Sequence, residues 1–337
     1  MKTLLMLLLL ASCLTFAQKQ EEIKTPDLFG YVRSYVKSDF TKNSNEFLLY
    51  NARIGLKGNL NSSISYRVFG DLAQLGNVSL TKDIDGDVTN VDASNLHVLL
   101  DAYIKVKLTG SVAFTFGQFK LPFSTSNLES PAAMEFVNRP YTKSTSPGLR
   151  DIGGMVEFSD KKVAPLTLAA SLTNGSGENT SETDKTANYT FRAVYDILSN
   201  FSVSANYYGG KLSGNDVNIF NAGSNVRFGN LFIAGEYALR NTDKAGTKTD
   251  GNSFFVFSSY KVPVSFYLFS SITPAFRYEM YDPNTSVDND DMSRLTAGLT
   301  FELIENSNTL VRLNYESIQK KAGSDSNLLY ILFQVSF

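Results

Sequence analysis

The sequence predicts an all-β fold: a sixteen-stranded antiparallel transmembrane β-barrel with a long third outer loop. Three observations predict it. Segments of about ten residues with strict apolar–polar alternation recur sixteen times along the 337 residues. The connections between them tend to alternate between tight turns and long polar stretches. The chain also ends inside an alternating segment, Leu329-Tyr330-Ile331-Leu332-Phe333-Gln334-Val335-Ser336-Phe337. About ten tilted residues is the length a strand needs to cross a bilayer.

Residues 1–17 come first, with Lys2, the apolar run Leu4–Leu10 and the ending Thr15-Phe16-Ala17. A charged start, a short apolar core and small residues at the end make a secretory signal peptide, cleaved after Ala17. The apolar run is too short to span a bilayer as a helix. A second reading takes Leu10-Ala11-Ser12-Cys13 as a lipoprotein box with Cys13 acylated, although the signal before Cys13 is short for one. With Cys13 removed the mature chain has no cysteine, hence no disulfide and no thiolate chemistry. Loss of Lys2 leaves 30 basic side chains against 33 acidic, a balance that points to no nucleic acid. A short periplasmic segment, 18–27, then precedes the barrel, 28–337.

The strands begin near residues 29, 47, 63, 96, 111, 150, 164, 188, 200, 217, 230, 252, 270, 293, 308 and 327. In the second, Leu48, Tyr50, Ala52, Ile54 and Leu56 share one face, opposite Asn51, Arg53 and Lys57. In the fourth, Leu96, Val98, Leu100, Ala102, Ile104 and Val106 oppose Asp101, Tyr103, Lys105 and Lys107. The same rule separates Leu231, Ile233, Tyr237 and Leu239 from Glu236 and Arg240, and Leu295, Ala297, Leu299 and Phe301 from Arg294, Thr300 and Glu302. A soluble β-sandwich or propeller also alternates. Two features weigh against one. The apolar face continues through all sixteen segments, and the other face carries arginines in mid-strand, which a packed core does not tolerate unpaired. The terminal Phe337 on an alternating strand also resembles the recognition signal of bacterial outer-membrane barrels, which places the chain in that membrane. With no tryptophan, 25 Phe and 17 Tyr must supply the interfacial girdles against outer-membrane lipid.

The connections order the strands across the membrane. Asn59-Leu60-Asn61-Ser62, Thr109-Gly110-Ser111 and Gly229-Asn230 are tight turns. Stretches 76–95, 120–149, 174–187, 241–251 and 281–292 are long and polar, and face the other side. Acid collects in them: Asp83, Asp85, Asp87 and Asp92, then Asp282, Asp288, Asp290 and Asp291. The run from Asp83 to Asp87 lacks the spacing of a calcium loop, so no metal site and no cofactor is assigned.

With the apolar face outward, the polar face lines a water-filled interior. Alternation turns Arg53, Lys57, Arg67, Lys105, Lys107, Arg192, Arg227, Arg240, Arg277, Arg294 and Arg312 inward. Asp71, Asp101, Glu157, Glu236, Glu279, Glu302 and Glu316 join them. The cations outnumber the anions in a chain that is acidic overall, so the pore prefers small anions. Part of these charges pairs across strands and serves the wall alone. The 120–149 stretch is far longer than any hairpin needs. It is expected to narrow the pore, with Lys120, Arg139, Lys143 and Arg150 meeting the basic wall.

The middle of the chain resembles the phosphate-selective porin family of the porin O and porin P type. The run from Gly117 to Ser124 (GQFKLPFS) is similar to that family's strand-to-loop motif. Asn138-Arg139-Pro140 and the run from Pro147 to Gly153 (PGLRDIG) are similar to its return into the next strand. The order continues with the run from Thr173 to Gly177, with Tyr189, Arg192 and Tyr195, and with Glu236-Tyr237. It ends with Pro274–Glu279, Arg294–Gly298 and Arg312–Glu316, so that the resemblance covers 28–337. It implies a homotrimer that passes anions such as phosphate down an arginine ladder to a lysine- and arginine-lined constriction. Arg192, Arg277, Arg294 and Arg312 fall on matching motifs, whereas Arg53, Arg67 and Arg227 come from alternation alone.

Two other functions are weighed. A general porin without charge preference stays open. A barrel enzyme would have to use His97, the single histidine, beside Ser94 and Asn95, and no Gly-x-Ser-x-Gly elbow is present. The expectation is therefore a channel and no enzyme.

Overall fold

A computed structural model describes residues 25–77, 79–82, 88–92, 97–181, 185–305 and 308–337. The signal peptide, Cys13 and the acidic residues 83–87 lie outside the described residues. No described helix is long and apolar enough to cross a membrane.

The described residues form a closed barrel of sixteen antiparallel strands. These are β1 (Asp27–Asp39), β2 (Ser44–Asn59), β3 (Ile64–Asp71), β4 (Leu99–Lys107), β5 (Val112–Lys120) and β6 (Arg150–Ser159). Then come β7 (Leu166–Thr173), β8 (Asn188–Leu198), β9 (Phe201–Leu212), β10 (Asn215–Phe228) and β11 (Leu231–Lys244). β12 (Thr247–Tyr260) breaks at Lys261 and continues as Val262–Phe266. β13 (Phe269–Asp282), β14 (Met292–Ile304), β15 (Thr309–Lys320) and β16 (Ser326–Ser336) complete the wall. Each pairs with its sequence neighbours, and β16 pairs with β1 from Tyr31↔Ser336 to Asp39↔Leu328. Phe337 finishes the closure, since its amide and carbonyl bond to the carbonyl and amide of Gly30 at 3.0 and 2.9 Å. A Cβ at Gly30 would lie 2.7 Å from the Phe337 ring, so only glycine leaves room for that closure.

Alternation sets the two faces. Ile54, Leu56, Val68, Ile104, Phe116, Leu239, Val256, Leu295 and Phe333 are exposed on the outside, as a lipid-facing surface requires. The wall has two unequal halves. Strands β3 to β7 have 8 to 10 residues. Strands β10 to β13 have 14 each. At 3.3 Å per residue the tall half stands about 15 Å higher along its strands. The expected long loop at 241–251 is absent. β11 and β12 extend instead to a two-residue turn at Ala245-Gly246, both at positive φ of 50° and 89°. Its residues are polar because both faces of a hairpin beyond the membrane meet water. Three of the four long connections sit on the low half, around β3 to β8, and one of these builds the interior; the fourth, 283–291, joins β13 to β14.

Candidate functional site: a loop folded into the barrel

Residues 121–149 turn inward and cross to the far wall. The crossing is held by polar side chains that alternation already turns into the lumen. At the start, the Glu236 carboxylate of β11 accepts from Ser124 Oγ (2.6 Å), Ser126 N (2.7 Å) and Ser126 Oγ (3.1 Å). Arg192 of β8 donates to Thr125 Oγ1 at 2.9 Å. Further on, four inward arginines grip the loop backbone. Arg33 donates to Val137 O (3.3 Å), Arg277 to Asn138 O (2.9 Å), Arg294 to Arg139 O (2.8 Å) and Arg312 to Phe136 O (3.5 Å). Val137 N donates to Asn314 Oδ1 at 2.7 Å, and Gln334 Nε2 to Ala132 O at 2.9 Å. Near the end of the loop, the Thr145 hydroxyl meets that of Ser253.

Apolar contacts reinforce the grip. Leu121 and Phe123 bury against Tyr208, Val217 and Ile219. Val137 buries among Leu310, Leu328, Tyr330 and Leu332, and Ala132 among Tyr31, Phe69 and Leu100. These inward apolar residues break the polar lining only where the loop covers them. Burial of each such side chain is worth about 1.5–3 kcal/mol.

The arginine ladder is thus reshaped. Arg277, Arg294 and Arg312 face inward as expected, but the loop covers them, leaving 2, 7 and 3% of their surface exposed. Arg294 donates to Glu279 Oε1 at 2.6 Å and lies 3.4 Å from Glu316, and Arg277 pairs with Glu279 at 2.5 Å. Buried cations need such partners, and here carboxylates and loop carbonyls supply them. These three arginines hold the loop and do not form an open ladder. Arg227, also expected in the ladder, is exposed near the short-turn end and stacks on Phe232.

The four expected constriction residues do come together. Lys120 and Arg150 end β5 and open β6, directly opposite one another in register. Arg139 and Lys143 lie on the loop. All four line one cavity of about 530 Å³ with Arg33, Arg53 and Arg294. Among the described residues no carboxylate lines it. The carboxylates stand behind the cations. Asp71 accepts from Arg53 at 2.8 Å, and Asp101 accepts from Arg150 at 2.6 Å and from Arg67 at 2.9 Å. Lys120 donates to Leu128 O and Glu129 O at 2.7 and 3.0 Å, while Arg139 donates to Ser126 O and Glu129 O. Lys143 is exposed to the cavity with no ion pair among the described residues. Partial desolvation inside the lumen, then repulsion by Arg139, lowers its ammonium from the usual lysine value. Burial also lowers Arg139. Glu129 shows the opposite: burial, then the neighbouring Glu135, pushes its carboxyl up to about 7.

A second cavity, of about 330 Å³, lies toward the short turns. Lys120 lines both cavities. Arg67 and Lys105 face Asp101 and Glu157 in the lower one, with Lys105 and Glu157 paired at 2.5 Å. Lys57 and Lys107 are exposed nearer the turns.

Sequence reasoning missed three site residues. Arg33 follows the alternation of β1, between outward Val32 and inward Tyr35, and the same rule would have found it. Tyr50 was expected on the lipid face with Leu48. A bulge pairs Arg33 with Asn51 and Ser34 with Leu49, and Tyr50 turns into the cavity, where Arg33 stacks on it at 4.9 Å. Glu178 lies 3.5 Å from Arg150 because the 174–181 stretch also tucks in, with Asn179 N bonded to Gln118 at 2.6 Å. No local pattern signals that tuck. His97 is exposed ahead of β4, and its neighbours Ser94 and Asn95 lie outside the described residues.

The family model for phosphate-selective porin O and P matches residues 30–252. The chain belongs to that family. It is a porin of the bacterial outer membrane, a channel protein and not an enzyme. No curated protein sequence matches it. Among solved structures it is similar to the anion-selective porin from Comamonas acidovorans, with 14% identity, a TM-score of 0.68, and coverage of 93% of this chain and 99% of that one. OmpF of Salmonella typhi, solved with daunomycin, gives 12% identity, a TM-score of 0.63, and coverage of 94% and 100%. The outer-membrane channel DcaP of Acinetobacter baumannii gives 14%, 0.59, and coverage of 93% and 97%. At these identities the likeness is one of fold.

Proposed function

We propose that this porin passes small anions by passive diffusion, with selectivity set where the folded loop meets the low half of the wall. One observation carries the proposal: among the described residues, seven cationic side chains and no carboxylate line the cavity on the loop. An anion leaving bulk water there exchanges hydration for Arg and Lys donors, while a cation meets like charge in a space of reduced dielectric. Lys120, which lines both cavities, marks the narrowing, and Lys143, without an ion pair, is its freest donor. Phosphate is the favoured inorganic anion in this reading, since guanidiniums and ammoniums converging from several directions suit its many acceptor oxygens. The matched family's description supports phosphate, and the anion-selective neighbour supports the broader anion reading. Residues 1–17 direct export and are removed, and the assembly is a homotrimer, as the family implies.

Single-channel recording in a salt gradient tests the proposal. Chloride should carry most of the current, and millimolar phosphate should block it. A current carried by potassium would overturn the anion reading, and an unblocked chloride current would leave a porin without phosphate preference. Crosslinking in detergent tests the trimer, with a monomer band alone counting against it.

A further inference from the structure

The inner wall of β16 and β1 to β3 carries aromatic rings among its cations. Tyr330, Tyr35 and Tyr50 form a chain of edge contacts at 5.5 and 5.2 Å. Arg33 stacks on Tyr50, Arg53 lies 5.6 Å from the Tyr31 ring, and Arg67 lies 4.5 and 4.8 Å from Phe29 and Phe69. Tyr31 touches Phe69 at 6.3 Å, and Phe69 stacks on Phe29 at 5.1 Å. Cations and rings therefore alternate down one side of the lumen, from the loop cavity toward the short turns. The polar face of a porin strand faces water, and rings placed there lose hydration free energy without gaining a lipid contact.

Structural support accounts for part of the run. Tyr31, Phe69 and Tyr330 are buried at 5, 4 and 6% exposure, and back the guanidiniums. Tyr50 is different. It is 36% exposed, and it lines the cavity beside Leu49, Met134 and Leu149. A bare hydrated ion gains nothing from that apolar strip. At about 530 Å³ the cavity also exceeds what an inorganic anion fills and reaches the size of organic-ligand sites.

We infer that the pore is built for a phosphate monoester carrying a ring, such as a hexose phosphate, with the phosphoryl group at Lys143 and Lys120 and the ring against Tyr50. The inference rests on the anion-preferring reading above and narrows it. The ammonium groups satisfy the dianion, and the aromatic face meets the apolar face of the ring. Arg53 and Arg67 offer further cations down the wall, so that the phosphoryl group passes from one to the next below the ring contact at Tyr50.

The test is block of the chloride current through reconstituted wild-type porin. Glucose 6-phosphate, glycerol 3-phosphate and glucose are compared at equal ionic strength. The two esters carry the same charge and only one has a ring. A ring contact worth about 1 kcal/mol makes glucose 6-phosphate block at about five- to tenfold lower concentration. Glucose alone should not block, and Tyr50→Leu should narrow the gap between the esters several-fold. Equal block by the two esters, or a gap that survives Tyr50→Leu, overturns the inference. If neither ester blocks while chloride still carries the current, the inference falls and the anion reading stands. If potassium carries the current, both fall. Electrophoresis with and without heating shows whether the variant folds, and the wild-type comparison decides if it does not.

Discussion

The Glu236 latch gives the sharpest test of how the loop is held. Glu236→Ala removes a carboxylate that is 6% exposed and accepts three hydrogen bonds from Ser124 and Ser126. Hydrogen bonds to a charged group contribute about 1.5–3 kcal/mol each, and water recovers part of the loss once the pocket opens. A net loss of about 3–5 kcal/mol in docking of the 124–128 turn follows. That turn supplies Leu128 O to Lys120 and Ser126 O to Arg139, so both cations lose their fixed positions. The far anchors at Arg33, Arg277 and Arg294 stay, so the barrel itself should fold and shift on heating as the wild type does. Single-channel conductance should rise and fluctuate between levels, and anion preference should fall. Conductance and reversal potential matching the wild type would refute the claim that this latch positions the narrowing. Glu236→Gln, which keeps one acceptor oxygen, should fall between the two.

Other perturbations probe other parts. Lys143→Glu changes the cavity by two charge units. At a separation of roughly 7 Å in a water-like dielectric this is about 1.2 kcal/mol against an anion and as much in favour of a cation, so the ratio of anion to cation permeability should drop about fiftyfold. An unchanged ratio would move the narrowing away from Lys143. Arg277→Met leaves Glu279 and Glu316 short of a partner inside the wall and should cost about 3–5 kcal/mol, read as a lower temperature for the heat-induced gel shift. A gel shift at the wild-type temperature would count against that network. Glu129 gives a pH signature. Its raised carboxyl is neutral below about 7 and ionised above it, so anion preference should be stronger below that pH and weaken as the pH rises through it. The sign for folding is the same: ionising a buried carboxyl costs free energy in the folded state, so stability also falls as the pH rises between the ordinary glutamate value and about 7. Glu129→Gln should remove the step near 7, and its persistence would assign the step elsewhere.

The wall was legible because a bilayer enforces a strict code. Lipid on one side and water on the other require period two, and Leu295, Ala297 and Leu299 against Arg294, Thr296 and Thr300 obey it without help from distant contacts. Turn chemistry was less decisive. Asn241 to Gly251 is polar enough for a loop, yet Ala245-Gly246 closes a hairpin whose strands run to Lys244 and from Thr247. Single-residue irregularities were illegible: the bulge that turns Tyr50 inward leaves no mark in the apolar–polar spacing of Leu48, Ala52 and Ile54 along the sequence. The loop was legible as an anomaly and opaque as a structure. Its seats on Glu236, Asn314 and Gln334 lie 110 or more residues away in the chain, and a polar residue on the lumen face looks the same whether it meets water or a carbonyl. Four of the seven arginines of the expected ladder thus became loop anchors, while Lys120, Arg139, Lys143 and Arg150 met in one cavity.

The sign of the reversal potential is the most direct test of the account. Purified porin in a planar bilayer, with a tenfold potassium chloride gradient across it, gives one number. A cavity lined, among the described residues, by seven cations and no carboxylate requires a potential on the chloride side of zero. A potential on the potassium side would contradict it.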